Sequence, residues 1–187
     1  MLQQSHMQPL VTFVERVRKS LNIEDDIPMF DPCDGGVNAR VLIFLEAPGR
    51  KALDSQFVSR NNPDRTAAKI NQLLNVAGIA RKETIIWNIV PWYIGQDDTR
   101  KRIRAAKVED IAQALPFNKE FLKLLTNLEV IVLMGKNAQL AKAHIRSITN
   151  ALIFCTAHPS PRVVNSWPQK IEEAQQVFIK VGSILNK

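Results

Sequence analysis

The stretch Val41-Leu42-Ile43-Phe44-Leu45-Glu46-Ala47-Pro48-Gly49-Arg50 decides how the rest of the chain is read. Five apolar residues run straight into Glu-Ala-Pro-Gly. A short continuous apolar run stopped by Pro and Gly predicts a strand buried on both faces. Pro48 has no amide donor and Gly49 tolerates unusual dihedrals, so the strand ends there in a tight turn. Glu46 is thereby fixed at the carboxyl end of a buried strand, the edge at which open α/β sheets bind ligands.

The same arrangement recurs along the chain. Thr84-Ile85-Ile86-Trp87-Asn88-Ile89-Val90 runs into Pro91, Val130-Ile131-Val132-Leu133-Met134 into Gly135-Lys136-Asn137, and Ala151 to Thr156 into Ala157-His158-Pro159-Ser160-Pro161-Arg162. Helical spacing fills the intervals. Leu10, Phe13, Val14, Val17 and Leu21 share one face, with Glu15, Arg16, Arg18 and Lys19 opposite. Ala67, Ile70, Leu73, Leu74 and Ala77 mark a second helix, with Asp64 as its cap and Gly78 as its stop. A third extends from Val108 to Leu128, interrupted or restarted at Pro116, and a last one from Pro168 to Leu185. Residues 27–37 and 50–64 read as connections rich in turn residues, the second carrying an isolated aromatic, Phe57. Alternating strands and helices predict an α/β three-layer sandwich: a central four-stranded, mainly parallel sheet flanked by helices. Right-handed crossovers then bring all four strand ends to one edge.

Composition bounds the function. The 187 residues are 45% hydrophobic and 23% charged, as expected of one globular domain spanning residues 1–187. No apolar run approaches the roughly 18 residues of a membrane span, so no membrane partner is expected. The polar start, Met1 to Gln8, is unlike a secretory signal and predicts a cytoplasmic protein. Cys33 and Cys155 are too few for a Cys-only metal or iron–sulfur site. A net charge of +7 favours a polyanionic partner, nucleic acid first. Residues 100–107, Arg-Lys-Arg-Ile-Arg-Ala-Ala-Lys, form the densest basic run and read equally well as a solvated face.

Glu46, Asn88 and His158 therefore converge on one crevice, with Gly135 beside them and Phe57 as a wall. Other roles are open to each: Glu46 as a helix cap, Asn88 in a structural network, Phe57 as core. An amide inside an apolar strand, however, needs several hydrogen-bond partners.

Taken together, Leu45-Glu46-Ala47-Pro48-Gly49, Phe57 in a Phe-Val context, Asn88 ending a strand and His158-Pro159-Ser160-Pro161 after the last strand resemble the uracil-DNA glycosylase superfamily. The nearest branch is similar to family 4, whose first motif is Gly-Glu-Ala-Pro-Gly. The resemblance covers about residues 28–168 and implies a monofunctional DNA glycosylase: a DNA partner carrying a deaminated base, a base flipped into the crevice, and hydrolysis of its glycosidic bond without cofactor or metal. Phe57 then stacks on the base, Asn88 pairs with its polar edge and His158 donates to its O2, with Ala47 also against the base. Pro48 and Gly49 lie against the sugar and phosphate, and Ser160, Pro161 and Arg162 grip the strand. Arg60, Arg100 and Lys101 are further candidates for phosphate contact. A monomer is expected, and no lyase step, since no lysine falls in a matched motif.

The chain departs from the pattern in four places. Leu45 replaces the first Gly, and the four cysteines of the family-4 cluster are missing. Ala47 stands where another branch has a water-activating Asp, leaving Glu46, Asp54 or a backbone carbonyl to position water. Gly49 stands where that branch has an aromatic that excludes thymine, which opens the choice of base to thymine, hypoxanthine and xanthine. Two other readings fit the sequence: a catalytically inactive binder of damaged DNA or abasic sites, supported by Ala47, and a small-molecule hydrolase on a similar sheet.

Overall fold

The computed structural model describes residues 1–23, 26–95 and 104–186. The first helix, α1 (Gln8–Leu21), buries Leu10, Phe13, Val14 and Val17. Asn22, in the left-handed region at φ 55°, ends it by donating its backbone N–H to Arg18 and Lys19 carbonyls. There follow β1 (Met29–Phe30), β2 (Val41–Leu45), α2 (Arg50–Ser55), β3 (Phe57–Val58), α3 (Arg65–Val76) and β4 (Thr84–Asn88). The second half comprises α4 (Val108–Leu124), β5 (Val130–Met134), α5 (Lys136–Leu140), α6 (Lys142–Arg146), β6 (Leu152–Thr156), α7 (Pro161–Ser166) and α8 (Pro168–Leu185).

Four strands form one sheet in the order β4-β2-β5-β6, every pair parallel. Strands β4 and β5 are buried along their whole length and β2 along all but Leu45, so near-continuous apolar sequence is what these positions require. β6, at the edge, is only partly covered, and Leu152 is exposed. The chain leaves β2 for β4 on one side and returns past it to β5 on the other. The strand order therefore reverses between β2 and β5, the point at which such sheets open a crevice at their carboxyl edge. Among the described residues, no helix is long and apolar enough to cross a membrane.

Three local features differ from the sequence expectation. The expected connections 27–37 and 50–64 carry a two-stranded parallel ribbon, in which Met29 pairs with Phe57 and Phe30 with Val58. Phe30 fastens the ribbon to the sheet by stacking on Trp87, with ring centroids 3.7 Å apart. Strands of two residues have no periodicity to read. Pro116 does not interrupt α4, which runs as one helix across it. Finally, the His-Pro-Ser-Pro turn launches a short helix, α7, since Pro161 at its first position lacks only an amide that would be unpaired there anyway.

Candidate active site

Glu46 follows β2 and sits at the strand-order reversal. Its Oε1 accepts hydrogen bonds from the backbone N–H of Ala106 at 2.5 Å and from Asn137 Nδ2 at 2.8 Å. The second donor crosses from the carboxyl end of β5. The segment supplying Ala106 is braced by Arg104, which pairs with Asp110 at 2.6 and 2.8 Å. Glu46 is not the cap of α2: that position belongs to Gly49, where no side chain caps the helix. Among the described residues Oε2 has no hydrogen-bond partner, so one oxygen is anchored and the other left for a ligand or water.

Asn88 ends β4 and pairs in register with Leu45, one residue before Glu46. The ladder continues beyond both, with Ile89 N donating to Leu45 O and Val90 N to Glu46 O, each at 2.9 Å. Asn88 is 1% exposed, and its Nδ2 has no hydrogen-bond partner. An unpaired buried amide donor costs about 1–3 kcal/mol. Trp87 Nε1, His6 Nε2, Asp34 Oδ2 and Arg60 Nε are also buried and unpaired, and Asn88 differs from them in standing at the carboxyl end of its strand, in register beside the residue before Glu46.

His158 follows β6 with its side chain half-buried. Burial lowers its pKa below the ordinary histidine value, while the negative charges of Glu46 and Asp64 pull it partly back. The imidazole is thus held neutral, with one N–H to donate. The close approach of Gly135 fixes its place. A Cβ on Gly135 would lie 3.0 Å from the Cβ of His158 and 3.4 Å from Cδ2, and Gly135 has φ +95°. Only glycine fits there without moving the imidazole.

Phe57 is half-buried on β3, outside the hydrophobic core and outside the ring contacts of the described residues. Its backbone is pinned instead. Ser55 Oγ and Asn62 Nδ2 donate to its carbonyl at 3.1 and 2.9 Å, and its own N–H donates to Ser55 Oγ at 3.2 Å. The described contacts do not join its ring to Asn88 or His158. Ala47 packs partly against the core. Pro48 is buried, and Gly49 is exposed with nothing within 4 Å of where a Cβ would stand. Ser160 and Pro161 are half-buried, and Arg162 is exposed with its guanidinium 6.0 Å from the Trp167 ring.

One expected phosphate contact is corrected. Arg60 is 5% exposed and turned inward, 3.4 Å from Asp34 and hydrogen-bonded to Thr84 at the opposite, amino end of β4. Its charge serves a buried cluster and cannot meet DNA. Arg100 and Lys101 lie outside the described residues.

Sequence reasoning missed two participants. Asn137 orients Glu46, and its polar type just after the third strand was a visible signal. Asp64 does cap α3, accepting from Ala67 N at 2.9 Å, but its charge also reaches His158, which no local pattern reveals. Among the described residues no cluster of three His, Cys, Asp or Glu side chains could hold a metal ion.

Comparison with known proteins bears on the fold and the family. The chain is similar in structure to a protein of Methanosarcina acetivorans, solved by solution NMR and described as a "putative Uracil DNA glycosylase". The two share 12% identity at a TM-score of 0.50, over 76% of this chain and 91% of the other, a likeness of fold. No curated protein matches the sequence. The family model of the uracil DNA glycosylase superfamily, however, matches residues 32–180, a span that takes in Glu46, Asn88 and His158. The chain therefore belongs to the uracil DNA glycosylase superfamily.

Proposed function

We propose that this protein is a monofunctional DNA glycosylase that hydrolyses the N-glycosidic bond of uracil, or a related deaminated base, flipped out of DNA. Within the superfamily we place it beside the family-4 branch, on the Glu46-Ala47-Pro48-Gly49 and His158-Pro159-Ser160-Pro161 motifs. The observation that carries the reading is the buried, unpaired amide of Asn88 at the strand edge shared with a neutral His158. Both groups can give hydrogen bonds to the polar rim of a base.

The chemistry follows from those groups. As the bond between C1′ and the base nitrogen breaks, the sugar gains cationic character and the base leaves as an anion. Donors from Asn88 and His158 stabilise charge that exists only in the transition state. Water adds to C1′, and its proton passes to a carboxylate or to solvent. Glu46, with one oxygen anchored by Asn137 and Ala106, is the group we assign to positioning that water, since Ala47 has no side chain able to do so. Extruding the base costs a few kcal/mol, least at a mismatch. Stacking on Phe57, whose face no other ring covers among the described residues, returns about 1–3 kcal/mol.

Ala47 favours a second reading, a catalytically inactive binder of damaged DNA or abasic sites. Base-release assays separate the two, with oligonucleotides carrying uracil, hypoxanthine or xanthine, single-stranded and opposite each partner base. Release by the native protein, reduced at least tenfold in Asn88→Ala and His158→Ala, is the expected result. Salt-sensitive binding without release from any substrate would transfer the protein to the second reading.

A further inference from the structure

Asn118 is 1% exposed, in the middle of a buried stripe of α4 that otherwise runs Ile111, Ala114, Phe121 and Leu122. An amide inside an apolar stripe is costly unless it is hydrogen-bonded. Its Nδ2 donates at 3.0 Å to the carbonyl of Ile89, the residue that follows Asn88.

That carbonyl needs a donor because of how β2 ends. In a parallel pair, a residue that donates its N–H to one neighbour accepts from the residue two positions further along the same strand. Ile89 N donates to Leu45 O, so the ladder's next donor to Ile89 O would be the N–H of Ala47. β2 stops at Leu45, however, and the chain turns away through Ala47-Pro48-Gly49. Among the described residues no backbone donor reaches Ile89 O, and Ile89 is itself 1% exposed. Asn118 takes the place of the lost ladder bond. The peptide plane between Ile89 and Val90 is then held at both ends, its oxygen by Asn118 and its N–H by the carbonyl of Glu46 at 2.9 Å.

The same helix packs on both sides of that plane. Phe121 meets Trp87, one residue before Asn88, with ring centroids 6.1 Å apart, and Phe117 meets Trp92 edge-on at 6.3 Å. At the amino end of α4, Asp110 accepts from Arg104 and from Lys107 N, on either side of the Ala106 N–H that anchors Glu46. Ring packing sets how closely the helix and the strand approach. The Asn118 bond is directional, so it also sets how the strand end is rotated.

We propose that Asn118 is a positioning residue for base release, holding the end of β4 so that the Asn88 amide stays in register with Glu46. The proposal rests on the glycosylase reading for what Asn88 does, and not for where Asn118 holds it.

The test crosses Asn118→Leu, which fills the site without a donor, with Asn88→Ala. Asn118→Ala is carried alongside as a smaller change in case the leucine does not fold. Single-turnover base release from a uracil oligonucleotide, DNA affinity and melting temperature are measured for native protein, each single variant and each double variant. With Asn88 in place, losing Asn118 should slow release about tenfold to a hundredfold, the scale of penalty for a misplaced group, and leave DNA affinity unchanged. In the Asn88→Ala background it should cost nothing further in release. The melting temperature should fall equally in both backgrounds, because Ile89 O is left without a donor in each. Equal loss of release in both backgrounds, or native release by the folded Asn118 variants, would overturn the proposal. A second readout needs no base release: the side-chain amide resonance of Asn88 in protein carrying isotope-labelled asparagine, assigned by its absence from Asn88→Ala. It should move in the Asn118 variants while that of Asn137 stays in place. If native protein releases no base, the glycosylase reading falls; a displaced Asn88 resonance then sustains the positioning role, and an unmoved one overturns it.

Discussion

The two edges of the sheet hold their polar groups differently. At the amino edge each charge faces an opposite one. Arg40 bridges Glu83 at 3.3 Å and Glu129 at 2.6 Å, tying the starts of β2, β4 and β5. Deeper, Asp31 and Asp34 face Arg60 and Arg81, with Ser59 and Thr84 closing the cluster. Asp34 Oδ2 and Arg60 Nε find no partner, but the opposite charges compensate. At the carboxyl edge, Asn88 keeps an unpaired donor, Glu46 is held by one oxygen, and burial lowers the pKa of His158 toward its neutral form. The first edge is self-sufficient. The second leaves donors and an acceptor open, as the proposed function requires.

The largest expected effect falls on the carboxyl edge. Removing one donor at Asn88 or His158 should lower base release about 100–1,000-fold. Thermal stability of Asn88→Ala should hold or rise, because the lost amide donor was unpaired. The amino edge should respond in the reverse sense. Asp34→Ala leaves Arg60 buried without its counter-charge, which costs roughly 3–5 kcal/mol. Calorimetry or denaturant melts should show that loss, while activity per folded molecule stays near native. Asn137→Ala is a smaller test. Freed from its 2.8 Å tether, Glu46 should turn over substrate about tenfold more slowly, and Asn137→Asp should not rescue it, since a carboxylate cannot donate.

The pH responses sharpen the comparison further. The folded pKa of His158 lies below its unfolded value of about 6.5. Activity should decline as pH falls through that folded value, where the ring takes up a charge. The stability linked to His158 is full above the unfolded pKa and is likewise lost as pH falls. Asp34 behaves oppositely. Burial pushes it up to about 6, against the pull of Arg60 and Arg81. The folded state then holds a proton that the unfolded state releases above about 3.8, so its contribution fades as pH rises from 3.8 through about 6. Asp34→Asn should flatten that limb of the stability profile and leave the activity profile in place.

Which parts of this were legible in the sequence follows from how local their causes are. The bounds of α1, β5 and α8 can be read from the chain because burial on one stripe or on both faces leaves an unbroken pattern over the whole element. The edge bearing Glu46, Asn88 and His158 is legible because each residue lies at the carboxyl end of an apolar strand or within two residues of it. The ribbon of β1 and β3 is not, since two-residue strands are held by Phe30 stacking on Trp87 and not by periodicity. Arg60 misleads for the same reason. In isolation it reads as a surface cation, and only Asp34 and Thr84, brought in from distant segments, explain its burial. Asn137 sits between these extremes: its position after β5 is visible, its grip on Glu46 is not.

The central claim is that the incomplete edge is catalytic and the complete edge structural. Its most direct test is base release from a uracil oligonucleotide by native protein, Asn88→Ala and Asp34→Ala, each with a thermal melt. The account predicts that Asn88→Ala melts at or above the native temperature and loses at least tenfold in release. Asp34→Ala should melt well below native and, at a temperature where it is folded, release base at close to the native rate. Native-like release by Asn88→Ala, or a collapse of its stability, would contradict the account.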